Sequence, residues 1–462
     1  MNSFLLSIPS GMPRRLAIGW LFLALYSLVG AGLVVVLILI ARTPFILNLL
    51  PWTGSFRTAL VIHVDLSVLV WFLSIAGFLA CLNLREQKGW FGFGTLLLAT
   101  IGAVLITFSP FLGVDAPFMN NYVPVLGNNA FFLGLGLFLT GVGGMAGFGI
   151  LNSRVASTGE RALLWGLKTG LFILLLSLAS WLWSYLTMPA NVDGLLYYEA
   201  LFWGGGHILQ FTHTQLLVVV WLWLATAAGG HISLTPRVAV LLFTLGAAPA
   251  LLGGVFLHLN YIPGDVEFQV GFANLMKYGG GVAALPVGLA LLPTLLTRPS
   301  SGEQEPTPLR LTLFLSLLLF GIGGVIGFLI KGINVTIPSH YHGSIVSVTV
   351  AYMGLIFYLL PRLGFQAPNR RWAVWQLWLY GGGSLLHVFG LAWSGVLGIQ
   401  RKTAGEAQGL ETMVKKMAMG LTGLGGLIAV IGGILFLIIC YRAVRSTKSG
   451  GGAALLDALR AK

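Results

Sequence analysis

The sequence predicts an all-α integral membrane protein with twelve transmembrane helices. Three observations carry that expectation. First, AVILMFWYC residues make up 57% of the 462, charged residues only 8%, and the mean hydropathy is +0.90. A soluble domain carries about a quarter charged residues. This chain cannot clothe a water-facing surface, which excludes a soluble enzyme, a disordered protein and a nucleic-acid binder. Second, the apolar residues fall into twelve runs near the length of about 20 residues that a spanning helix needs. Third, the basic residues separate by side. With the N-terminus placed in the cytoplasm, 18 of the 26 Lys and Arg fall on the inner face and 8 on the outer. That is a positive-inside bias, and it accounts for the +13 net charge without an acidic partner.

In order, the predicted spans are Leu16–Ala41, Ala59–Leu82, Phe91–Phe108, Phe131–Leu151, Thr169–Met188, Leu195–Ala225, Pro236–Leu259, Val270–Leu292, Leu311–Ile330, Ser339–Leu360, Trp372–Val396 and Met419–Cys440. The first is long enough to cross a bilayer, so no cleavable leader is expected. Polar breaks such as Arg298–Pro306 separate the runs. Most of the 63 glycines lie inside the runs, where small residues permit close helix contact. Cys81 and Cys440 sit within apolar runs, which excludes a disulfide framework and a CxxC metal site. The expectation is one polytopic membrane domain over residues 1–462, with both termini cytoplasmic, a Gly-rich stretch at Ser449–Gly452 and a short cytoplasmic tail at 446–462.

Ionisable side chains inside spans are functional candidates by default. On the predicted topology His63 starts helix 2, His207 lies about a third of the way along helix 6, His258 ends helix 7, and His340 and His342 start helix 10. All five fall in the outer part of the membrane. Imidazole is the commonest neutral ligand for haem iron and copper. Serines and aromatics beside these histidines (HVDLSVLVWF on helix 2, SHYHGSIVSV on helix 10) suit a porphyrin slot. At about 100° per residue, His340 and His342 point nearly opposite ways, so one helix can ligate two different haems. The competing reading is a set of hydrogen-bonded histidines in helix interfaces.

On these motifs the chain resembles subunit I of the haem–copper oxidase superfamily over nearly its whole length. The resemblance implies the family's twelve-helix arrangement. It implies that His63 and His342 ligate a low-spin haem and that His340 is proximal to a high-spin haem. It implies that His207 in FWGGGH and His258 in HLNYIPGDV belong to the neighbouring copper or non-haem iron site. GIQRKT resembles the basic pair that binds haem propionates, giving Arg401 and Lys402.

The departures are equally specific. The family's second helix 7 histidine is Leu259 here, so three nitrogen ligands become two. His213 lies about 240° round the helix from His207 and reads as structural or hydrogen-bonded, as do His231 and His387. The family's redox tyrosine position holds Phe211, and helix 7 offers no tyrosine in its place. Phe211 equally cannot supply the carboxylate that nitric oxide reductases place near that point. The usual proton-pathway pattern is missing from helices 6 and 8, so pumping is not expected.

Three charged residues have two readings each. Lys277 is either a lysine snorkelling outward or paired with Asp265, Glu267 or a propionate, or a buried cation near the missing metal that polarises a ligand or donates a proton. Glu199 is either a solvated helix-end acid or a proton route or metal ligand. Asp65 bonds either a ligand imidazole or a backbone or water group.

Two functions from different classes follow. The first is a respiratory enzyme passing electrons from the low-spin to the high-spin haem and reducing a diatomic gas, nitric oxide in preference to oxygen. Its electron donor would be a separate c-type cytochrome or cupredoxin-type subunit, because the chain has no CxxCH. The second is a non-catalytic electron-transfer subunit of a larger membrane complex with a degenerate copper site. A bacterial-type inner membrane, with the haems near its outer side, suits both.

Overall fold

The computed structural model describes residues 4–42, 56–85, 89–113, 116–154, 160–296 and 307–446. The predicted break Arg298–Pro306, the stretch Ser449–Gly452 and the tail from residue 447 lie outside the described residues.

The helices, in chain order, are α1 (Gly11–Arg42), α2 (Phe56–Leu82), α3 (Trp90–Phe108), α4 (Asn129–Leu151), α5 (Arg161–Leu186), α6 (Gly194–Ala227), α7 (Pro236–Asn260), α8 (Val266–Leu296), α9 (Thr307–Phe328), α10 (Thr336–Leu359), α11 (370–396) and α12 (Met413–Arg445). Among the described residues, 11 helices are long and apolar enough to cross a membrane. The predicted span Trp372–Val396 is helical throughout but is not among them. Its apolar residues are diluted by Gln376, Tyr380, Gly381–Gly383, Ser384 and His387. Several helices extend past their apolar runs into polar flanks: α5 begins at Arg161 and α12 at Met413.

The helices form two compact units, α1 to α8 with the loop Gln400–Gly409, and α9 to α12. Within each, glycine allows close approach. A Cβ on Gly102 of α3 would stand 2.4 Å from the Phe138 nitrogen of α4, and one on Gly323 of α9 would stand 2.5 Å from the Ser344 nitrogen of α10. Such contacts supply the dispersion and backbone proximity that hold helices together in lipid, where no hydrophobic drive between them exists.

Among the described residues, three helices contain π-turns: Asp65–Val70 in α2, Pro249–Gly253 in α7 and Trp378–Gly382 in α11. A π-turn widens the helix and frees a carbonyl. In α2 the Ser67 hydroxyl donates to the His63 carbonyl at 2.6 Å. Proline at position 249 cannot donate to the helix ladder, which suits the second turn.

One element departs from the all-helical expectation. The α3–α4 connection forms a two-residue antiparallel hairpin, β1 (Pro117–Phe118) with β2 (Val125–Leu126). Asn120 builds its turn. Its side-chain oxygen accepts from the Tyr122 and Val123 amides at 3.0 and 2.9 Å, and its amide donates to the Val123 carbonyl. Asparagine favours such turns because its side chain mimics the backbone.

Candidate functional site

Helix α6 carries the motif Phe202-Trp203-Gly204-Gly205-Gly206-His207, and each glycine makes room for an aromatic ring. A Cβ on Gly204 would touch Phe268 and Phe272 at 3.1 Å. On Gly205 it would meet Trp181 at 2.3 Å, and on Gly206 it would meet Tyr122 at 2.1 Å. The rings so admitted box the histidine. His207 lies 4.8 Å, centroid to centroid, from both Tyr122 and Trp203, and 6.1 Å from Phe272. His258 of α7 stacks on Trp183 at 5.2 Å and meets Phe268 and Phe272 at 5.3 and 5.4 Å. Phe272 thus touches both imidazoles.

The nitrogens of the five candidate ligands divide into two patterns. A carbonyl only accepts, so a histidine nitrogen bonded to one must carry the proton. Nδ1–H donates to a backbone carbonyl in His63 (to Ala31, 3.2 Å), His207 (to Trp203, 2.8 Å), His340 (to Gly323, 2.7 Å) and His342 (to Pro338, 2.7 Å). That bond fixes the tautomer and puts the lone pair on Nε2, the arrangement a metal-bound imidazole uses. His258 differs. Its Nε2 lies 2.6 Å from the Ser180 hydroxyl of α5, and its Nδ1 is buried with no hydrogen-bond partner.

The anchored rings of His63, His340 and His342 lie on half-buried stretches of otherwise buried helices. His63, Val64, Ser67 and Val68 form a half-open stripe on α2, although the helix is buried throughout Val70–Leu82. On α10, His340, His342, Ser344 and Ile345 are likewise half-buried, while Ser347–Phe357 are buried. Gly327 of α9 leaves room for the His340 ring: a Cβ there would stand 2.6 Å from its Nδ1. The donor chemistry of these imidazoles fits haem.

A three-imidazole second metal does not fit. Leu259 is 68% exposed and turned away from the box, and Ser180 occupies the Nε2 of His258. The described residues contain no group of three His, Cys, Asp or Glu able to hold an ion.

The remaining candidates sort as follows. His213 packs edge-on against Phe72 of α2 at 4.8 Å, and its Nδ1 is buried without a partner. It is not turned to His207. His387 donates from Nδ1 to the Thr422 carbonyl and lies 4.8 Å from the His342 ring. His231 is exposed in the α6–α7 loop. Phe211 is buried in an apolar cluster with Ile208, Ala250 and Leu257. Two of the charged residues favour one of their two readings. Lys277 is exposed, with its ammonium 5.6 Å from the ring centre of its neighbour Tyr278, which favours the outward-snorkelling reading over the buried cation. Its position on α8 falls on an outer face, where a long side chain snorkels. Asp65 bonds no imidazole: both its oxygens are buried without partners, and the His63 Nδ1 goes to Ala31 instead.

Glu199, Arg401 and Lys402 meet on the hairpin loop. Glu199 accepts from the backbone N–H of Asn121 at 3.0 Å and from its side-chain amide. Arg401 donates to the Asn121 side-chain oxygen. Lys402 donates to that oxygen at 3.2 Å and to the Met119 and Asn120 carbonyls. Lys402 holds φ 59°, a left-handed conformation few non-glycine residues adopt. Burial, and then the neighbouring Arg401, lower the Lys402 amine to about 8, against the pull of Glu199. Burial raises the Tyr122 phenol well above its usual range, with the Glu199 charge adding to the effect. Tyr122 is the site residue that sequence reading missed. It arrives from a loop, and its only forward signal is the glycine at 206 that seats it.

Comparison with known proteins places this architecture. No family model matches the chain. The fold is that of a haem–copper terminal oxidase: a cryo-EM structure of a haem–copper terminal oxidase dimer superposes with a TM-score of 0.72 at 15% identity, covering 98% of this chain and 90% of that one. The chain is 26% identical to cytochrome c oxidase subunit 1 of Thermus thermophilus over 48% of its length and 43% of that protein's. It is 30% identical to the uncharacterized protein RP382 of Rickettsia prowazekii, over 93% of this chain and 96% of that protein. It is also 30% identical to an uncharacterized protein of Aquifex aeolicus, over 75% and 85%. The chain belongs to the family of these two proteins, and it has the fold of a haem–copper terminal oxidase.

Proposed function

We propose that this chain is a subunit I-like respiratory haem protein of a bacterial plasma membrane, with its haems toward the outer side. On this reading His63 and His342 hold a low-spin haem and His340 a high-spin one. The observation that carries the reading is the shared tautomer of these three imidazoles, each with Nδ1–H committed to a backbone carbonyl. Haem held by these residues would supply one-electron redox chemistry and the capacity to bind a diatomic gas.

The chain's own residues do the rest. Ala31, Gly323 and Pro338 orient the ligand rings and raise their basicity through these hydrogen bonds. Arg401 and Lys402 place two cations where carboxylates are neutralised, and Asn121 positions both beside Glu199. Trp203, Tyr122 and Phe272 keep water from the His207 ring. Nitric oxide is preferred to oxygen as the gas because Phe211 removes the helix 6 phenol, and no proton pumping accompanies the reaction. A c-type cytochrome or cupredoxin-type subunit delivers the electrons within a larger membrane complex.

A second reading, an electron-transfer subunit that reduces nothing, is favoured by one observation: Ser180 and Phe272 occupy the surroundings of His258, where a second metal would need a free nitrogen. The reduced-minus-oxidised spectrum with and without carbon monoxide tests both. Two haems with one carbon monoxide-sensitive support the reductase. Two insensitive haems support the conduit. No haem overturns both.

A further inference from the structure

The turn from α10 into α11 gathers a different chemistry. Residues 359–378 and 438–446 contain five arginines, Arg362, Arg370, Arg371, Arg442 and Arg445, and no Asp or Glu. The turn is fixed to the end of α12 by the Gln366 N–H, which donates to the Ala443 carbonyl at 3.1 Å. That contact brings the two arginine groups together. The Arg442 guanidinium lies 4.9 Å from the centre of the Trp372 ring, next to Arg371. An open cavity of about 680 Å³ lies here, lined by Asn369, Arg370, Arg371, Trp372, Val374 and Trp375. Asn369 caps the helix by accepting from the Trp372 N–H at 3.2 Å, so the cavity also faces the positive end of α11.

We infer that this cavity binds the phosphate of an anionic glycerophospholipid of the inner leaflet. Guanidinium forks match phosphate oxygens in pairs, and basic pockets between membrane helices on the cytoplasmic side hold such headgroups. The apolar wall distinguishes a lipid from a soluble anion. Trp375 of the lining and Trp378, which lies beyond it on the same helix, are 61% and 49% exposed. Indole rings placed so sit at headgroup level, with acyl chains running along them. A sheath of unspecialised interface tryptophans would need neither the cavity nor the clustering of arginine around it.

The test uses delipidated full-length protein titrated with cardiolipin in phosphatidylcholine micelles, followed by native mass spectrometry. One cardiolipin per chain is expected, with phosphatidylcholine and millimolar inorganic phosphate failing to displace it. Each arginine beside an anionic headgroup is worth about five-fold in affinity, so Arg371→Gln with Arg442→Gln weakens binding about 25-fold. Arg371→Lys keeps most of it, and Arg237→Gln, an exposed inner-side arginine outside the cavity, changes it less than two-fold. Displacement by inorganic phosphate, equal retention of phosphatidylcholine, or unchanged affinity in the double variant would overturn the assignment. The first two need no variant and hold even if a substitution misfolds.

Discussion

Replacing Gly206 by alanine probes the histidine box most sharply. The new methyl carbon would stand 2.1, 2.3 and 2.7 Å from Cγ, Cδ1 and Cβ of Tyr122, whereas Cβ contacts under 3.0 Å essentially never occur. The Tyr122 ring must retreat by about 0.9 Å, the difference between 2.1 and 3.0 Å. That pulls it from His207 and drags the neighbouring Asn121 away from Glu199 and Lys402. Overpacking of this kind costs about 1–3 kcal/mol. Alanine in a helix recovers about 0.5–1 kcal/mol relative to glycine, leaving a net loss of about 0.5–2 kcal/mol. Unfolding by SDS titration in mixed micelles, read by tryptophan fluorescence, measures it. Gly147→Ala in α4, where nothing lies within 4 Å of the added carbon, is the control and should be neutral or stabilising. Truncating Tyr122 to alanine removes the contacts with Cγ and Cδ1 and keeps only that with Cβ at 2.7 Å, so it should relieve most of the penalty, a coupling that a double-mutant cycle isolates. An equal penalty with and without the Tyr122 ring would refute the packing argument.

Other outcomes follow from the same geometry. Ser180→Ala leaves both His258 nitrogens without partners and should cost about 1–3 kcal/mol; an unchanged unfolding midpoint in the same titration contradicts that. Lys402 should be the fastest-acylated lysine near pH 8, since its amine is lowered to about 8, and site-resolved mass spectrometry of acetylated protein measures this. Its folded pKa lies below the unfolded value, so the unfolded chain binds the extra proton. Stability should therefore rise as pH climbs from about 8 toward the ordinary lysine range; a fall over that window argues against the buried geometry. Lys277→Met should leave haem spectra and turnover unchanged, because the side chain is exposed; a change in either would return it to the site.

The fold was legible because lipid permits so few backbones. Long apolar runs must be helices when every N–H needs an internal partner, and the runs around α2, α4 and α6 needed only their ends moved. The exception, α11, shows why counting is harder than recognition: its glycines and polar residues pack on α12, where a Cβ on Gly383 or Gly390 would meet backbone nitrogen at 2.6 or 2.5 Å. Burial there, rather than hydropathy, supports the helix. Of the site, the histidines and the basic pair were readable from motif spacing. What was hidden depended on rotation and on loops. Spacing alone could not show that Leu259 faces outward, that Lys277 lies on the outer face, or that Asp65 points away from the His63 hydrogen bond. Tyr122 reaches His207 through a hairpin whose turn rests on one asparagine side chain, a contact across 85 residues of sequence.

Haem and iron per chain in the purified protein, compared with the His342→Ala variant, test the central claim most directly. The account predicts two haems in the parent protein and one in the variant, with the lost component low-spin. Two haems in both, or none in either, would contradict it.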